Sequence, residues 1–271
     1  MIITERFVML NFPKTGSSFA RQVVKQAHFH HPPSLRQRIG WRLGAPQRML
    51  KDVLVKPNLF NAEQAARAKE VAHGAYSQIP VEHRNKTIVT VVREPMARLV
   101  SLYEFKAWAK ALSGIDAVHA AFPQFPELSF AEYFDLQMGA AYQASIPPGM
   151  RTEVGPLTLQ FIRMFAHDPL RTALALHDGL DLRREWRAHF PRIHFLRNEH
   201  LNAQLRSFLL GQGYTRESLR FIDQKERVNR TDRSQARYFT PAMMQEVRHR
   251  ERFFYQLFPD YLRAFDSPTT A

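Results

Sequence analysis

The sequence predicts an α/β fold with a central, mainly parallel sheet flanked by helices. Three observations carry this expectation. Apolar runs at Arg6–Leu10, at Thr87–Val92 and near Ile193 each pass directly into a segment of helical periodicity. TIVTVV (Thr87–Val92) is β-branched and apolar on both faces, as a strand covered on both sides of a parallel sheet must be. No internal repeat, low-complexity block or long linker interrupts the 271 residues, so a single domain over 1–271 is expected.

The elements follow in order. RFVML (Arg6–Leu10) reads as a short buried strand, then a tight loop, then a helix from about Ser18 to Ala27. Residues 28–50 are broken by Pro and Gly and read as an excursion over the surface. NAEQAARAKEVA is helical, and VAHGAY (Val71–Tyr76) is expected to form a second short strand. After TIVTVV, MARLVSLYEFKAWAKAL reads as one long amphipathic helix. SFAEYFDLQM and LTLQFIRMF are helical, IHFLRNEHL repeats the change from strand to helix, and PAMMQEVRHRERFFYQLF is a terminal helix. In a parallel sheet ligands gather beyond the carboxyl ends of the strands. The loop 12–17, His73, Arg93 and Glu199 all fall at or just after expected strand ends.

Composition bounds the class. There is no cysteine, which excludes disulfides and thiolate metal sites and fits a reducing compartment. The N-terminal residues show no basic segment leading into a long apolar core, and no run is long enough to cross a bilayer. The expectation is a soluble cytoplasmic protein with peripheral contact to a membrane surface. Lys and Arg number 38 against 25 Asp and Glu, a net charge of +13. Such a field favours anionic partners: nucleic acid, acidic polysaccharide, lipid head groups or phosphorylated small molecules.

NFPKTGSSFARQVV (Asn11–Val24) is the first chemical constellation. A strand, a tight loop with one Lys and one Gly, then a helix builds an anion cradle from backbone N–H groups. Pro13 directs the strand exit, Gly16 permits close backbone approach, Ser17 and Ser18 suit a helix start, and Lys14 adds a point charge. Lys precedes Gly, the reverse of a triphosphate loop. The second constellation is VVREPMARLVSLYEF (Val91–Phe105). Arg93 leaves a buried strand, Pro95 opens the next helix, and Ser101 lies two turns on. An Arg fork and a hydroxyl together suit a phosphate. Arg98 and Glu104 read as solvated helix surface, and Tyr103 as core packing. His28, His30 and His31 read as a wet loop rather than a metal site, and no HExxH or paired-carboxylate pattern calls for a metal.

PKTGSSF together with TVVREPMARLVSLYEF resembles the sulfotransferase superfamily, whose enzymes use 3′-phosphoadenosine-5′-phosphosulfate (PAPS). The first motif is similar to the family's 5′-phosphosulfate loop. The second is similar to its 3′-phosphate site, with Arg93 and Ser101 at matching positions. HGAY (His73–Tyr76), FLRNEHL (Phe195–Leu201) and KERVNRT (Lys225–Thr231) resemble elements of the carbohydrate sulfotransferase branch, the last of them a basic loop near the cofactor. The loop reads KTGSS where the branch more often has KTGGT or KTGTT, and the stretch 26–62 matches nothing in it.

The resemblance implies a P-loop-like sulfotransferase fold and sulfuryl transfer from PAPS to a hydroxyl acceptor, a glycan and an acidic one in keeping with the charge. It implies cofactor contacts from Lys14, Thr15, Gly16, Ser17, Ser18, Phe19, Arg93, Ser101, Arg227 and Asn229. Lys14 would stabilise the leaving phosphate and His73 would act as base, with Glu199 in reserve; no metal is expected. Two other readings stay open. A P-loop kinase or other nucleotide-using transferase would bind ATP with Mg²⁺. A non-enzymatic polyanion-binding protein would rest on charge alone; nucleic acid is not the expected partner, since no stacking motif or helix-turn-helix stands out.

Overall fold

The structure, a computed structural model, describes residues 1–30, 35–43, 49–139, 142, 146–150, 152–224 and 237–262. The chain divides into two compact units, each assembled from three segments. The first comprises Met1–Pro57, Ala68–Arg93 and Arg192–Arg230, and the second Asn58–Arg67, Glu94–Pro191 and Thr231–Ala271.

The first unit is an α/β layer. Its strands are β1 (Ile2–Thr4), β2 (Phe7–Leu10), β3 (Leu50–Asp52), β4 (Thr87–Val92) and β5 (Ile193–Arg197). Among the described residues they form a five-stranded sheet in the order β3-β1-β2-β4-β5. β2, β4 and β5 run parallel, with Leu10 opposite Thr90 and Val92 opposite Arg197. β1 is antiparallel to both β2 and β3, so the sheet is mixed rather than mainly parallel. The reason is local: only Glu5 and Arg6 separate β1 from β2, and so short a link permits a hairpin alone. Thr4 pins this hairpin, its buried Oγ1 donating to Phe7 O at 2.9 Å while accepting from Phe7 N at 3.0 Å.

Helix α1 (Ser17–His30) and the helix Leu201–Gly211 cover one face of the sheet. Phe19, Val23, Val24 and Ala27 from α1 and Leu205, Phe208 and Leu209 from the other helix close over Phe7, Met9, Val89, Val91 and Leu196. The alternate residues Val8, Leu10, Ile88, Thr90 and Val92 are buried as well, which explains why β2 and β4 read as continuous apolar runs.

The expected strand at VAHGAY is absent. Val71 makes one isolated bridge to Val55, and Tyr76–Gln78 is a turn of 3-10 helix. What this segment offers the sheet is carbonyl oxygen rather than a ladder: Asn11 Nδ2 donates to Ala72 O at 2.8 Å. In the surface excursion, α1 continues to His30 and a further helix spans Leu35–Arg42. His28 is buried and its Nδ1 lies 3.1 Å from Tyr214 Oη, a packing role in place of a wet loop.

The second unit is helical. The long helix expected from Met96 to Leu112 is two, Pro95–Phe105 and Ala107–Leu112, broken at Lys106, which takes a left-handed φ of 52°. The terminal segment likewise breaks at Glu251 into Pro241–Arg250 and Arg252–Leu257. Glu251 explains its own break. It is wholly buried and accepts from Leu157 N (2.9 Å), Thr158 N (2.7 Å) and Thr158 Oγ1 (2.6 Å), capping the helix Pro156–Phe165 from outside. Arg98, expected on a solvated surface, is also wholly buried, and its guanidinium donates to Gln160 Oε1; burial pushes the Glu251 carboxyl up, with the hydrogen bonds from Thr158 and Leu157 and then the Arg98 charge acting the other way. Tyr103 packs among Trp108, Phe130 and Tyr133, as read from the sequence. Among the described residues no helix is long and apolar enough to cross a membrane.

Replacing Glu251 by Ala strands three buried donors. The Glu251→Ala variant should lose more than about 3 kcal/mol of unfolding free energy in a denaturant titration, whereas Glu104→Ala on the exposed side of Pro95–Phe105 should change little.

Candidate functional site

The carboxyl ends of β2, β4 and β5 lie along one edge of the sheet, and each delivers a polar group there. After β2 the chain turns through Asn11–Gly16 into α1. Two hydroxyls hold the turn: Thr15 Oγ1 and Ser17 Oγ both donate to Phe12 O, at 2.8 and 2.7 Å, and both side chains are buried. Lys14 adopts a left-handed φ of 62° and Gly16 one of 90°. Lysine in that region is strained by about 1 kcal/mol or more.

A Cβ on Gly16 would overlap the Asn198 amide and come within 3.0 Å of Leu201 Cδ2. That amide is itself part of the site, since Asn198 Nδ2 donates to Thr15 O at 2.9 Å and ties the end of β5 to the loop. The first helical bond of α1 runs from Ala20 N to Gly16 O at 3.1 Å. The N–H groups of Ser17, Ser18 and Phe19 therefore precede the helix ladder and form its positive end. Ser18 is exposed, while Phe19 is buried in the core, so Phe19 can serve a ligand only through its backbone.

Lys14 and Arg93 define the field of this edge. Both are half-buried. Burial lowers the Lys14 ammonium below its usual range, and the Arg93 guanidinium lowers it further. Two cations beside one another make this edge of the sheet positive. Arg197, at the end of β5, adds a third positive group on the same strand edge, and its N–H is held by Gln204 Oε1 at 2.6 Å.

His73 reaches the site without a strand to carry it. Its Nδ1 lies 2.8 Å from Asn11 O. A carbonyl oxygen only accepts, so Nδ1 carries the proton and the neutral ring keeps its lone pair on Nε2. Asn11 thus clamps the His73 segment from both sides, giving its side-chain amide to Ala72 O and its backbone oxygen to the imidazole. Glu199 is exposed in the 3-10 turn Asn198–His200.

The structure brings Lys14, Thr15, Gly16, Ser17, Ser18, Phe19, His73 and Arg93 into the first unit. Ser101 is half-buried on the helix Pro95–Phe105 of the second unit. Arg227 and Asn229 lie outside the described residues. Sequence reasoning passed over Asn11 and Asn198, whose amides position the histidine and the loop. Both stand at strand ends directly beside motif residues, which was the available signal.

The first unit is thus an α/β layer with a tight loop, Lys14 and Arg93 gathered at the start of α1. No family model matches the chain, and no curated protein does. Among solved structures it is similar to the mouse sulfotransferase SULT7A1 complexed with PAP, at 13% identity and a TM-score of 0.43. That alignment covers 96% of this chain and 84% of the other.

A side chain at position 16 has neither space nor a comfortable backbone. Gly16→Ala should lower stability by about 2 kcal/mol or more by thermal or chemical denaturation, and Asn198→Ala combined with it should recover part of that loss by opening the space.

Proposed function

We propose that the protein is a PAPS-dependent sulfotransferase that transfers a sulfuryl group to a hydroxyl of a carbohydrate acceptor. The observation that carries the reading is the pair Lys14 and Arg93, two half-buried cations at adjacent parallel strand ends beside the start of α1. The motifs around them are those that resemble the 5′-phosphosulfate loop and the 3′-phosphate site. The cradle fits such a donor: its backbone N–H groups, its positive helix end and its lysine all suit a dianionic phosphosulfate.

In this reading the N–H groups of Ser17, Ser18 and Phe19 hold the phosphosulfate, with the exposed Ser18 hydroxyl available to it. Thr15 and Ser17 act through their hydroxyls on Phe12 O, keeping the loop in shape. His73 Nε2 takes the proton of the acceptor hydroxyl as its oxygen bonds to sulfur. The bond from sulfur to the bridging phosphate oxygen breaks, and Lys14 stabilises the charge that gathers on the departing phosphate. Arg93 is assigned to the 3′-phosphate, while Ser101, Arg227 and Asn229 stay in this reading through the sequence resemblance alone. An acidic glycan suits the basic chain.

Binding of 3′-phosphoadenosine 5′-phosphate should raise the melting temperature and that of ADP should do so far less; equal shifts would favour an ATP-type transferase instead. The bound anion stabilises the charged form of Lys14. Affinity should therefore fall as pH rises through the lowered Lys14 value, at a pH below the usual 10.5. Since Arg93 contributes to that lowering, Arg93→Gln should move the fall to higher pH while weakening binding, as titration calorimetry across pH would show. His73→Ala should cut kcat by about 10²-fold or more and leave nucleotide affinity intact, in a transfer assay with labelled PAPS.

A further inference from the structure

Between Glu5 and Asp52 the chain carries no acidic residue, while nine Lys and Arg fall in residues 6–51. The candidate site uses one of these, Lys14. Two more, Arg21 and Lys25, are paired with the Asp52 carboxylate. The rest of the charge is concentrated around the helix Leu35–Arg42, whose sequence LRQRIGWR holds Arg36, Arg38 and Arg42.

That helix exposes its apolar side chains. Leu35 is 72% exposed, Ile39 49% and Leu43 82%. They recur every fourth residue, and Leu43 remains in helical register because its N–H bonds Ile39 O at 3.1 Å. Successive members of an i, i+4 series are offset by about 40° around a helix, so the three lie in one stripe. Arg38 and Arg42 stand about 60° to one side of Leu35 and Ile39 respectively, and both are exposed. Phe29, on the last turn of α1, is exposed as well. An apolar stripe bordered by arginines, without a carboxylate in the surrounding sequence, suits an interface that is oily within and negative at its margin.

We propose that the helix Leu35–Arg42 lies on the surface of an anionic lipid bilayer, with Leu35, Ile39 and Leu43 entering the head-group boundary and Arg38 and Arg42 meeting lipid phosphates. Charge complementarity selects this occupant. An acidic protein groove would leave the stripe's arginines similarly served, but the sequence continues past the helix with Arg48 and Lys51 and holds no carboxylate between Glu5 and Asp52, as an anionic surface rewards. Docking at this place would bring the proposed enzyme to membrane-borne acceptors. The docking itself does not rest on the sulfotransferase reading, and its test is free of catalysis.

The test is sedimentation of the full chain with vesicles of phosphatidylcholine alone and of phosphatidylcholine mixed with phosphatidylserine. Binding should require phosphatidylserine and weaken as salt rises. Leu35→Asp/Ile39→Asp/Leu43→Asp should reduce partitioning by about tenfold or more, with melting temperature unchanged because all three side chains are solvent-facing. Single Leu43→Ser and Leu35→Ser variants, which add no charge, should each give a smaller loss in the same direction. Unaltered binding by the triple and serine variants would overturn the proposal and reduce the effect to bare electrostatic adhesion. Failure of the wild-type chain to bind mixed vesicles at low salt would overturn it too, leaving the stripe to a protein partner.

Discussion

The carbonyl oxygen of Phe12 is the point on which the candidate site turns. It accepts from Thr15 and Ser17, and those two bonds fold six residues tightly enough to set α1 directly against the end of β2. Lys14 is forced into a left-handed conformation by the same turn, and Gly16 is brought against Asn198. A cradle lined by N–H groups is the outcome. The strain at Lys14 is local and is offset by the packing of α1 on the sheet, where Phe19, Val23 and Val24 are buried.

In both units burial works against a charged group, in different surroundings. In the second, Glu251 is wholly enclosed and burial pushes its carboxyl up, while two backbone N–H groups, a hydroxyl and the charge of Arg98 act the other way. Every oxygen has a donor, and the carboxylate organises helix ends around it. In the first unit, Lys14 is half-buried beside another cation, and both burial and Arg93 act against its charge.

Legibility followed the range of the interactions involved. β4 and the loop after β2 were readable because β-branched apolar runs, a Pro, a Gly and a pair of hydroxyls act within a few residues. β1 and β3 escaped because each has only three residues, too few for a periodic signal, and β3 exists through pairing with β1. The helix breaks at Lys106 and Glu251 were equally hidden: neither is Gly or Pro, and Glu251 leaves the helix to cap a segment some 90 residues away in sequence. Arg98 looked like surface for the same reason, since the groups that accept its charge lie on other helices.

By itself the sequence determined that the protein is α/β, that a tight loop leads from its β2 segment into a helix, and that Lys14 and Arg93 follow strand ends, because periodicity and turn chemistry are properties of neighbouring residues. Tertiary structure alone decided how His73 joins them. No strand carries it there; Asn11 does, holding Ala72 and His73 by its amide and its backbone oxygen. It also decided that Asn198 braces the loop from β5. Hydrogen bonds between residues 62 and 183 positions apart leave no trace in local pattern, because their geometry exists only once the sheet has aligned its strand ends.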